Sequence, residues 1–317
     1  MVSQEFDIVG IGNAIVDIVT DVNDEFINQQ ELRKGLMSLV DLDTIKFLSK
    51  KIEIKANVSG GSVANSIVAL AQNNINTAFI GKVGKDEVGN SFIQGLEKEK
   101  VIFANKAQSD ESETGRCMVM VTPDAQRTMS TYLGISQKLN SNDINEEVIA
   151  HSKITYLEGY LWDLDDAQKA IKKAIKISKE AERLVAFSVS DVFCIERFRE
   201  SFLNLVNNEA DIIFANEEEI KSLYQKDNLD DCLEIISQHD KIFAITLGEN
   251  GAMIVHKDKL VKIKAQQIEN LVDTTGAGDL FAAGFLLGYI NGENLEQCGN
   301  EGVTFASKII QIYGARL

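Results

Sequence analysis

The chain contains 317 residues, enough for two domains or for one large α/β domain with an appendage. Its 32 lysines and arginines stand against 48 aspartates and glutamates, so its formal net charge is −16 at pH 7. An electrostatic field this negative argues against nucleic acid or an anionic membrane as a partner. A hydrophobic fraction of 44% is typical of a globular protein with a sizeable core.

The sequence also argues against membrane insertion and secretion. Its longest apolar run, 280–290, covers eleven positions and includes two glycines, which is too short to cross a bilayer. The N-terminal segment carries acidic residues and no basic lead, unlike a secretory signal. Four widely spaced cysteines form no CxxC pair, which disfavours a zinc module and predicts a reducing, cytoplasmic environment.

Short apolar runs rich in β-branched residues alternate with helical patterns along the chain. Strands are predicted at 6–12, 78–83, 117–122, 154–158, 184–189, 211–215, 242–247, 252–256 and 260–265. Helices are predicted at 62–72, 88–99, 166–182, 196–207, 217–223, 230–238, 277–289 and 296–313. This alternation predicts an α/β fold with a central, mostly parallel sheet flanked by helices.

Two stretches, 14–57 and 103–135, interrupt the alternation with short strand-like segments and no long helix. The segments IVDIVTDV and CMVMVTPDAQRTMSTYL indicate strands with one exposed face. We expect the two stretches to pair in space as a small, discontinuous β-sheet lid of one domain that spans residues 1–317.

The strongest local signal is the segment DTTGAGD at 273–279, which an apolar helix follows directly. Glycines at 276 and 278 allow backbone N–H groups to approach a ligand, and the helix N-terminus adds its positive dipole. The amides of Gly276, Ala277, Gly278 and Asp279 are therefore predicted to hold a phosphoryl group. Asp279 is predicted to take a proton from an attacking hydroxyl, with a plain N-capping role as the alternative.

The same segment resembles the C-terminal signature of the ribokinase-like carbohydrate kinases, the phosphofructokinase-B family. Further motifs resemble this family's in the same chain order: GGSVANSIVAL at 60–70, GKVGKDEVG at 81–89, NEEE at 216–219 and TLGENG at 246–251. The resemblance implies a ribokinase-like fold and an ATP-dependent kinase that acts on an alcohol.

Within this family the opening FDIVGIGNAIVD at 6–17 is similar to that of adenosine kinases, where Asn and Asp hold the ribose hydroxyls. The resemblance therefore assigns Asn13 and Asp17 to sugar binding, against the alternative of a turn-supporting Asn13 and a solvated Asp17. It places further substrate contacts at the next glycine pair and helix start, which are Gly60, Gly61, Ser62 and Asn65. For Asn65 a local helix-start hydrogen bond is the alternative.

Two further residues are assigned by resemblance to the substrate side. Tyr160 lies where adenosine kinases carry an aromatic pair, so its ring is expected to stack on a purine, with only one of the two aromatics present here. Arg127 lies in the predicted lid, where similar kinases carry an arginine that swings over the transferred phosphate. An exposed surface arginine is the alternative for Arg127.

The resemblance also implies a nucleotide site. ATP is expected to contact Asn216, Thr246, Gly248 and Gly251, with Asn300 as a candidate for its adenine. Glu219 is expected to act on Mg²⁺ through water, because this ion keeps much of its hydration shell.

The function implied is transfer of the γ-phosphoryl group of ATP to the 5′-hydroxyl of adenosine, with Asp279 as general base. One alternative is a kinase for another sugar or nucleoside, such as ribose, fructose, inosine or guanosine. The other is a non-catalytic ligand-binding relative, which the intact GAGD segment disfavours. A P-loop kinase is excluded because the chain has no GxxxxGK[ST] motif, and a monomer and a homodimer both fit the sequence.

Overall fold

The structure is a computed structural model that describes residues 5–109, 112–124 and 126–317; residues 110, 111 and 125 of the second predicted lid stretch lie outside the described residues. The strands within these ranges are β1 (Phe6–Ile11), β2 (Ile15–Asp21), β3 (Met37–Leu39), β4 (Ala56–Gly60), β5 (Thr77–Ile80), β6 (Ile102–Phe103), β7 (Gly115–Val121), β8 (Arg127–Tyr132), β9 (Ser152–Glu158), β10 (Leu184–Ser188), β11 (Ile212–Asn216), β12 (Ile242–Thr246), β13 (Ala252–His256) and β14 (Lys259–Ile263). The α-helices are α1 (Asp24–Gln29), α2 (Leu42–Ser49), α3 (Ser62–Gln72), α4 (Glu87–Lys98), α5 (Glu146–Ala150), α6 (Asp165–Glu180), α7 (Val192–Asn204), α8 (Glu217–Tyr224), α9 (Leu229–Ile236), α10 (Ala277–Ile290) and α11 (Leu295–Ile309).

A nine-stranded sheet in the described part of the chain forms the centre of the fold. Its strand order is β14-β13-β12-β11-β10-β9-β1-β5-β6, parallel from β6 to β12, with β13 and β14 antiparallel at one edge. The sequence prediction of a mostly parallel sheet is confirmed. Parallel strands need crossover helices, so both faces of this sheet are covered.

Two apolar clusters fill the space between the sheet and its helices. One lies under α6, α7, α8 and α9 and includes Ile171, Phe187 and Phe202. The other lies under α3, α4, α10 and α11 and includes Phe79 and Phe285. The strands of the sheet are buried on both faces, so their sequences are continuous apolar runs. These runs are the signal from which the strands were predicted.

A second sheet, with five strands among the described residues in the order β3-β8-β7-β2-β4, is built from the two stretches that interrupt the alternation. Strand β2 lies between β4 and β7, so the two stretches pair directly. One face of this small sheet packs against α1 and α2 around Ile27, Ile45 and Met118. The opposite face carries Ile15, Cys117 and Val119.

The predicted strands and helices correspond to observed ones with small differences at their ends, whereas the helices α1, α2 and α5 were not predicted. Strand β4 runs to Gly60, beyond the predicted limit of 57, and β6 joins the large sheet rather than the small one. The last helix ends at Ile309 rather than 313, and α7 starts at Val192 rather than 196. No helix in the described ranges combines the length and apolar character that a membrane span requires.

Two glycines with positive φ directly precede the helices α3 and α10. Gly61, at φ 103°, precedes α3, and Gly276, at φ 76°, precedes α10. A Cβ on Gly61 would lie 2.2 Å from the carbonyl oxygen of Asn13, so a side chain is excluded there by contact as well as by conformation. These tight turns bring the N-termini of both helices to the same place.

Candidate active site

A cavity of about 400 Å³ lies between the carboxyl ends of the parallel strands and the small sheet. Residues at or just after the ends of β1, β9, β10, β11 and β12 line it, and Ile15, Cys117 and Met129 from the small sheet form the opposite wall. This is the position where open α/β sheets bind ligands. Its volume is in the range of small-molecule sites, which span about 300–1,000 Å³.

The carboxylate of Asp279 lies in this cavity and is held by the first turns of α3. Ser62 Oγ donates to Asp279 Oδ1 at 2.6 Å, and Asn65 Nδ2 donates to Asp279 Oδ2 at 3.0 Å. Ser66 Oγ donates to the Asp279 carbonyl oxygen at 2.8 Å. The three donors share one helix face because they are spaced i, i+3 and i+4. Ser62 and Asn65 both line the cavity, and in this structure they also orient the predicted base; their contact with a substrate stays a prediction.

The electrostatics of Asp279 suit a base near neutral pH. Burial raises its pKa to about 6, against the opposing effects of the Asn65 and Ser62 hydrogen bonds and of the positive charge on Arg316. Near neutral pH this carboxylate therefore binds a proton more readily than an ordinary aspartate does.

Fewer backbone amides are open to a phosphoryl group than the four predicted at 276–279. The backbone N–H of Ala277 donates to the Thr274 carbonyl oxygen at 3.2 Å, so it is not available to a ligand, and Ala277 is not part of the described cavity wall. Gly276, Gly278 and Asp279 do line the cavity. A Cβ built on Gly278 meets no atom within 4 Å, so the backbone there is open to a ligand.

Asn13 is held by a buried carboxylate that the sequence analysis did not identify. Its backbone N and its Nδ2 both donate to Glu158 Oε1 at 2.8 Å, and Ser136 Oγ donates to its Oδ1 at 3.0 Å. Glu158 Oε2 accepts from the backbone N of Val63 at 3.0 Å, and burial raises the pKa of Glu158 to about 7. The position of Glu158 at the carboxyl end of a buried parallel strand is the sequence signal that could have identified it.

Asp17 also faces the cavity, from the middle of the small sheet. Burial raises its pKa to about 7, although the charges of Arg316 and Arg127 oppose that shift. Gly60, predicted to contact the substrate, is not in the described cavity wall; a Cβ there would lie 2.3 Å from Asp17 Oδ2. Gly60 therefore provides the space that Asp17 occupies, while Gly61 does line the cavity.

Arg127 is neither an exposed surface residue nor a free cation over the cavity. Its side chain is 7% exposed and its Nη2 forms an ion pair with Asp273, the first residue of the DTTGAGD segment. It is not part of the described cavity wall. In this conformation Arg127 therefore does not lie over the position predicted for the transferred phosphate. It links the small sheet to the loop that precedes α10.

The predicted nucleotide residues divide into two groups. Asn216, Glu219 and Thr246, at or next to the ends of β11 and β12, line the cavity. Asn216 and Glu219 form a capping box at the start of α8, and burial raises the pKa of Glu219 to about 7. The other group is absent from the described cavity wall and consists of Gly248, Gly251 and Asn300.

Gly251 and Asn300 have local structural roles. A Cβ on Gly251 would lie 2.1 Å from the Ile263 carbonyl oxygen, so this glycine allows the β12–β13 turn to pass close to β14. Asn300 is exposed on α11 and its Nδ2 donates to the Glu296 carbonyl oxygen at 2.8 Å.

Two aromatic rings face the cavity from its remaining side. The Tyr160 ring lies 6.1 Å from that of Phe193, with a 39° angle between their planes, and the Tyr160 hydroxyl donates to the Ser190 carbonyl oxygen at 3.0 Å. Phe193 was missed because it starts a helix rather than following a strand in a recognised motif. Trp162 is 1% exposed and packs edge-on against Phe202, so it belongs to the core.

A family model for pfkB family carbohydrate kinases matches residues 51–317. The chain belongs to this family. This pfkB kinase is 26% identical to the adenosine kinase of Saccharomyces cerevisiae, over 97% of this chain and 95% of that protein. It is 30% identical to an uncharacterized sugar kinase of Archaeoglobus fulgidus, over 78% of this chain and 97% of that protein.

Two solved structures are similar to this pfkB kinase over nearly its whole length. The adenosine kinase of Sinorhizobium meliloti superimposes with a TM-score of 0.92 at 38% identity, covering 99% of this chain and 96% of that one. A probable sugar kinase of Rhizobium etli gives a TM-score of 0.91 at 38% identity, covering 99% and 95%. The ribokinase-like fold and kinase activity expected from the sequence are confirmed, and the family implies ATP as the phosphoryl donor.

Proposed function

We propose that this pfkB kinase transfers the γ-phosphoryl group of ATP to the 5′-hydroxyl of adenosine. The observation that carries the proposal is the Asp279 carboxylate, oriented by Ser62 and Asn65 inside the cavity and adjacent to the open backbone of Gly278. A base and an anion site at one point are what transfer of a phosphoryl group to an alcohol requires.

The cavity is long enough for two substrates in line. It extends from β1 to β12, which are separated by three strands in the sheet. At about 4.8 Å per strand, the four spacings cover about 19 Å. Asn13 and Asp17 lie toward β1 and suit sugar hydroxyls, while Asn216 and Thr246 lie toward β12 and suit the nucleotide.

In this arrangement each residue has a defined task. Asp279 accepts the proton of the hydroxyl as its oxygen bonds to phosphorus. The amides of Gly278 and Asp279 hold the migrating phosphoryl group at the start of α10, whose dipole favours its charge. Arg127 acts through Asp273, by holding the preceding loop against the small sheet.

Mg²⁺ is expected beside the donor phosphates. The described residues contain no group of three or more His, Cys, Asp and Glu side chains arranged to hold a metal directly. Glu219, one of the carboxylates that line the cavity, fits a hydrated ion bound through water and phosphate oxygens. When bound, the ion would neutralise phosphate charge.

The choice of adenosine rests on the aromatic pair. Tyr160 and Phe193 offer two ring faces beside the sugar-binding residues, and a purine provides a matching surface. The second candidate is a kinase for another sugar, because the probable sugar kinase and the adenosine kinase are equally similar to this chain at 38% identity.

The decisive experiment measures ATP-dependent product formation with adenosine, inosine, guanosine, ribose and fructose. A value of kcat/KM for adenosine at least tenfold above every other acceptor supports the proposal. A preference for ribose or fructose replaces it with the second candidate. Purified protein that binds these compounds and forms no phosphorylated product contradicts the proposed reaction.

A further inference from the structure

The segment that follows the last helix lies against the DTTGAGD loop. The backbone N–H groups of Val272 and Asp273 donate to the Ile310 carbonyl oxygen at 2.8 and 3.1 Å, and Gly314 N donates to Asp273 Oδ2 at 3.1 Å. A Cβ on Gly276 would lie 2.7 Å from Ala315 Cβ. These contacts anchor the segment 310–315 and place the next side chain, Arg316, close to Asn65 and Asp279.

Arg316 contacts the residue that holds the base. Its Nε donates to Asn65 Oδ1 at 3.2 Å, and Asn65 Nδ2 donates to Asp279 Oδ2 at 3.0 Å. An asparagine amide presents an acceptor on one side and donors on the other. With a guanidinium at its oxygen, Asn65 must turn its NH₂ group toward Asp279, because the reverse orientation would place donor against donor.

Arg316 also brings a positive charge to a crowded group of carboxyls. Its charge interacts favourably with Asp17 and Asp279, and its Nη2 is buried without a hydrogen-bond partner among the described residues. Arg316 is absent from the described cavity wall, where Asn65 stands between it and the ligand space. It can therefore act on the reaction through Asn65 and through its charge, without touching substrate.

Building on the proposed function, we infer that Arg316 is a positioning residue for the catalytic base: it fixes the orientation of the Asn65 amide and keeps Asp279 ionised. No sequence motif considered above includes this residue. Its side chain comes from irregular chain beyond α11, so replacing it removes no hydrogen bond of a helix or sheet.

The test compares Arg316→Gln and Arg316→Lys with the wild type in steady-state kinetics over a range of pH. Arg316→Gln is expected to lower kcat at pH 7 by about tenfold or more, to change the KM for ATP less than twofold, and to move the acidic limb of the kcat profile to higher pH. Arg316→Lys keeps the charge and should recover part of kcat. Arg199→Gln is the matched control: its Nε also donates to one carbonyl oxygen, that of Ser222, outside the described cavity wall.

Other titrating groups face Asp279, so its own ionisation is measured directly by ¹³C NMR of labelled aspartate carboxyls, assigned by loss of the resonance in Asp279→Asn. The groups to be separated from it are Asp17, Tyr156, Glu158 and Tyr160. Arg316→Gln is expected to raise the pKa of Asp279 whether or not any acceptor is turned over. An unchanged Asp279 pKa and an unchanged kcat in folded Arg316→Gln overturn the inference and leave the proposed reaction standing. If the wild type is inactive and Arg316→Gln still raises the pKa of Asp279, the proposed reaction is contradicted and the inference about Arg316 stands.

Discussion

Asn65 Nδ2 lies 3.0 Å from Asp279 Oδ2 and donates a hydrogen bond to it, although 214 positions separate the two residues in the chain. Together with Ser62 this contact leaves the Asp279 carboxylate little freedom to rotate. Each donor comes from the first turns of α3, whose start is set by the tight turn at Gly61. The orientation of the proposed base is thus set by the packing of two helix N-termini.

Asp279→Asn should abolish most turnover without loss of folding. The amide cannot accept the hydroxyl proton, and general-base catalysis contributes typically about 10²–10⁴-fold, so kcat should fall by that factor. Its oxygen can still accept one hydrogen bond from α3, so substrate affinity measured by calorimetry should change little. Glu218→Gln, at an exposed position of α8, is the control, and turnover of Asp279→Asn within threefold of wild type would remove Asp279 from the mechanism.

Stability and activity should change with pH in opposite directions. Burial raises the pKa values of Asp17, Glu158 and Glu219 to about 7 and that of Asp279 to about 6. Between about pH 5 and 8 the folded state therefore binds more protons than the unfolded chain, so the free energy of unfolding falls as pH rises. Turnover should instead rise as Asp279 ionises. Thermal unfolding and kcat measured on one pH series check both directions.

Asp17→Asn isolates one of these groups. Removing the buried charge should raise Tm at pH 8 and flatten the dependence of Tm on pH, since the amide does not titrate there. The same change should raise the KM for the acceptor about tenfold, because an amide is a weaker acceptor for sugar hydroxyls than a carboxylate. A Tm at pH 8 below that of the wild type would contradict a burial cost at Asp17.

Gly60→Ala and Gly278→Ala should separate stability from catalysis. The first places a Cβ 2.3 Å from Asp17 Oδ2 and should cost about 1–3 kcal/mol of unfolding free energy by overpacking, with a raised acceptor KM. The second places its Cβ in open space, so it should leave urea unfolding unchanged while its methyl group crowds the phosphoryl position and lowers kcat. Equal destabilisation by both substitutions would contradict this distinction.

Arg127→Met should destabilise the fold rather than affect chemistry alone. It leaves the buried Asp273 carboxylate without its partner, which costs about 3–5 kcal/mol for ion pairs of this kind. Lys176→Met is the control: its pair with Glu180 is 73% and 65% exposed on the two side chains, so its loss should change the free energy of unfolding far less. Urea unfolding of both variants measures the difference; an Arg127→Met protein as stable as the wild type would contradict a stabilising role for the Arg127–Asp273 pair.

Phe193→Ala should weaken binding of a purine nucleoside specifically. Loss of the ring removes one of the two aromatic faces in the cavity, so the KM for adenosine should rise about tenfold while the KM for ATP stays within twofold. Phe198→Ala, on the same helix and outside the described cavity wall, is the control. Parallel loss of affinity for both substrates would indicate a general packing defect instead.

Much of the fold was accessible from sequence because its signals are local. A buried parallel strand needs a short apolar run, and α3 was predicted with its observed limits because glycines precede it and its apolar pattern is regular. Strand ends and the α7 start were missed by a few residues, since the final hydrogen bonds depend on neighbours from distant parts of the chain. Asp279 was identified for a related reason: loop, helix start and carboxylate lie within seven consecutive residues.

By itself, the sequence determined most strands and helices of the large sheet in their chain order, the position of Asp279 at a helix start and the family to which the chain belongs. Only the tertiary structure decided what each polar side chain contacts: Arg127 pairs with Asp273, Glu158 holds Asn13, and Arg316 reaches Asn65. The physical reason is the distance along the chain over which each kind of interaction acts. Backbone conformation is set within a few residues, whereas a buried charge or amide is satisfied by whichever partner the packing of distant elements places within about 3 Å.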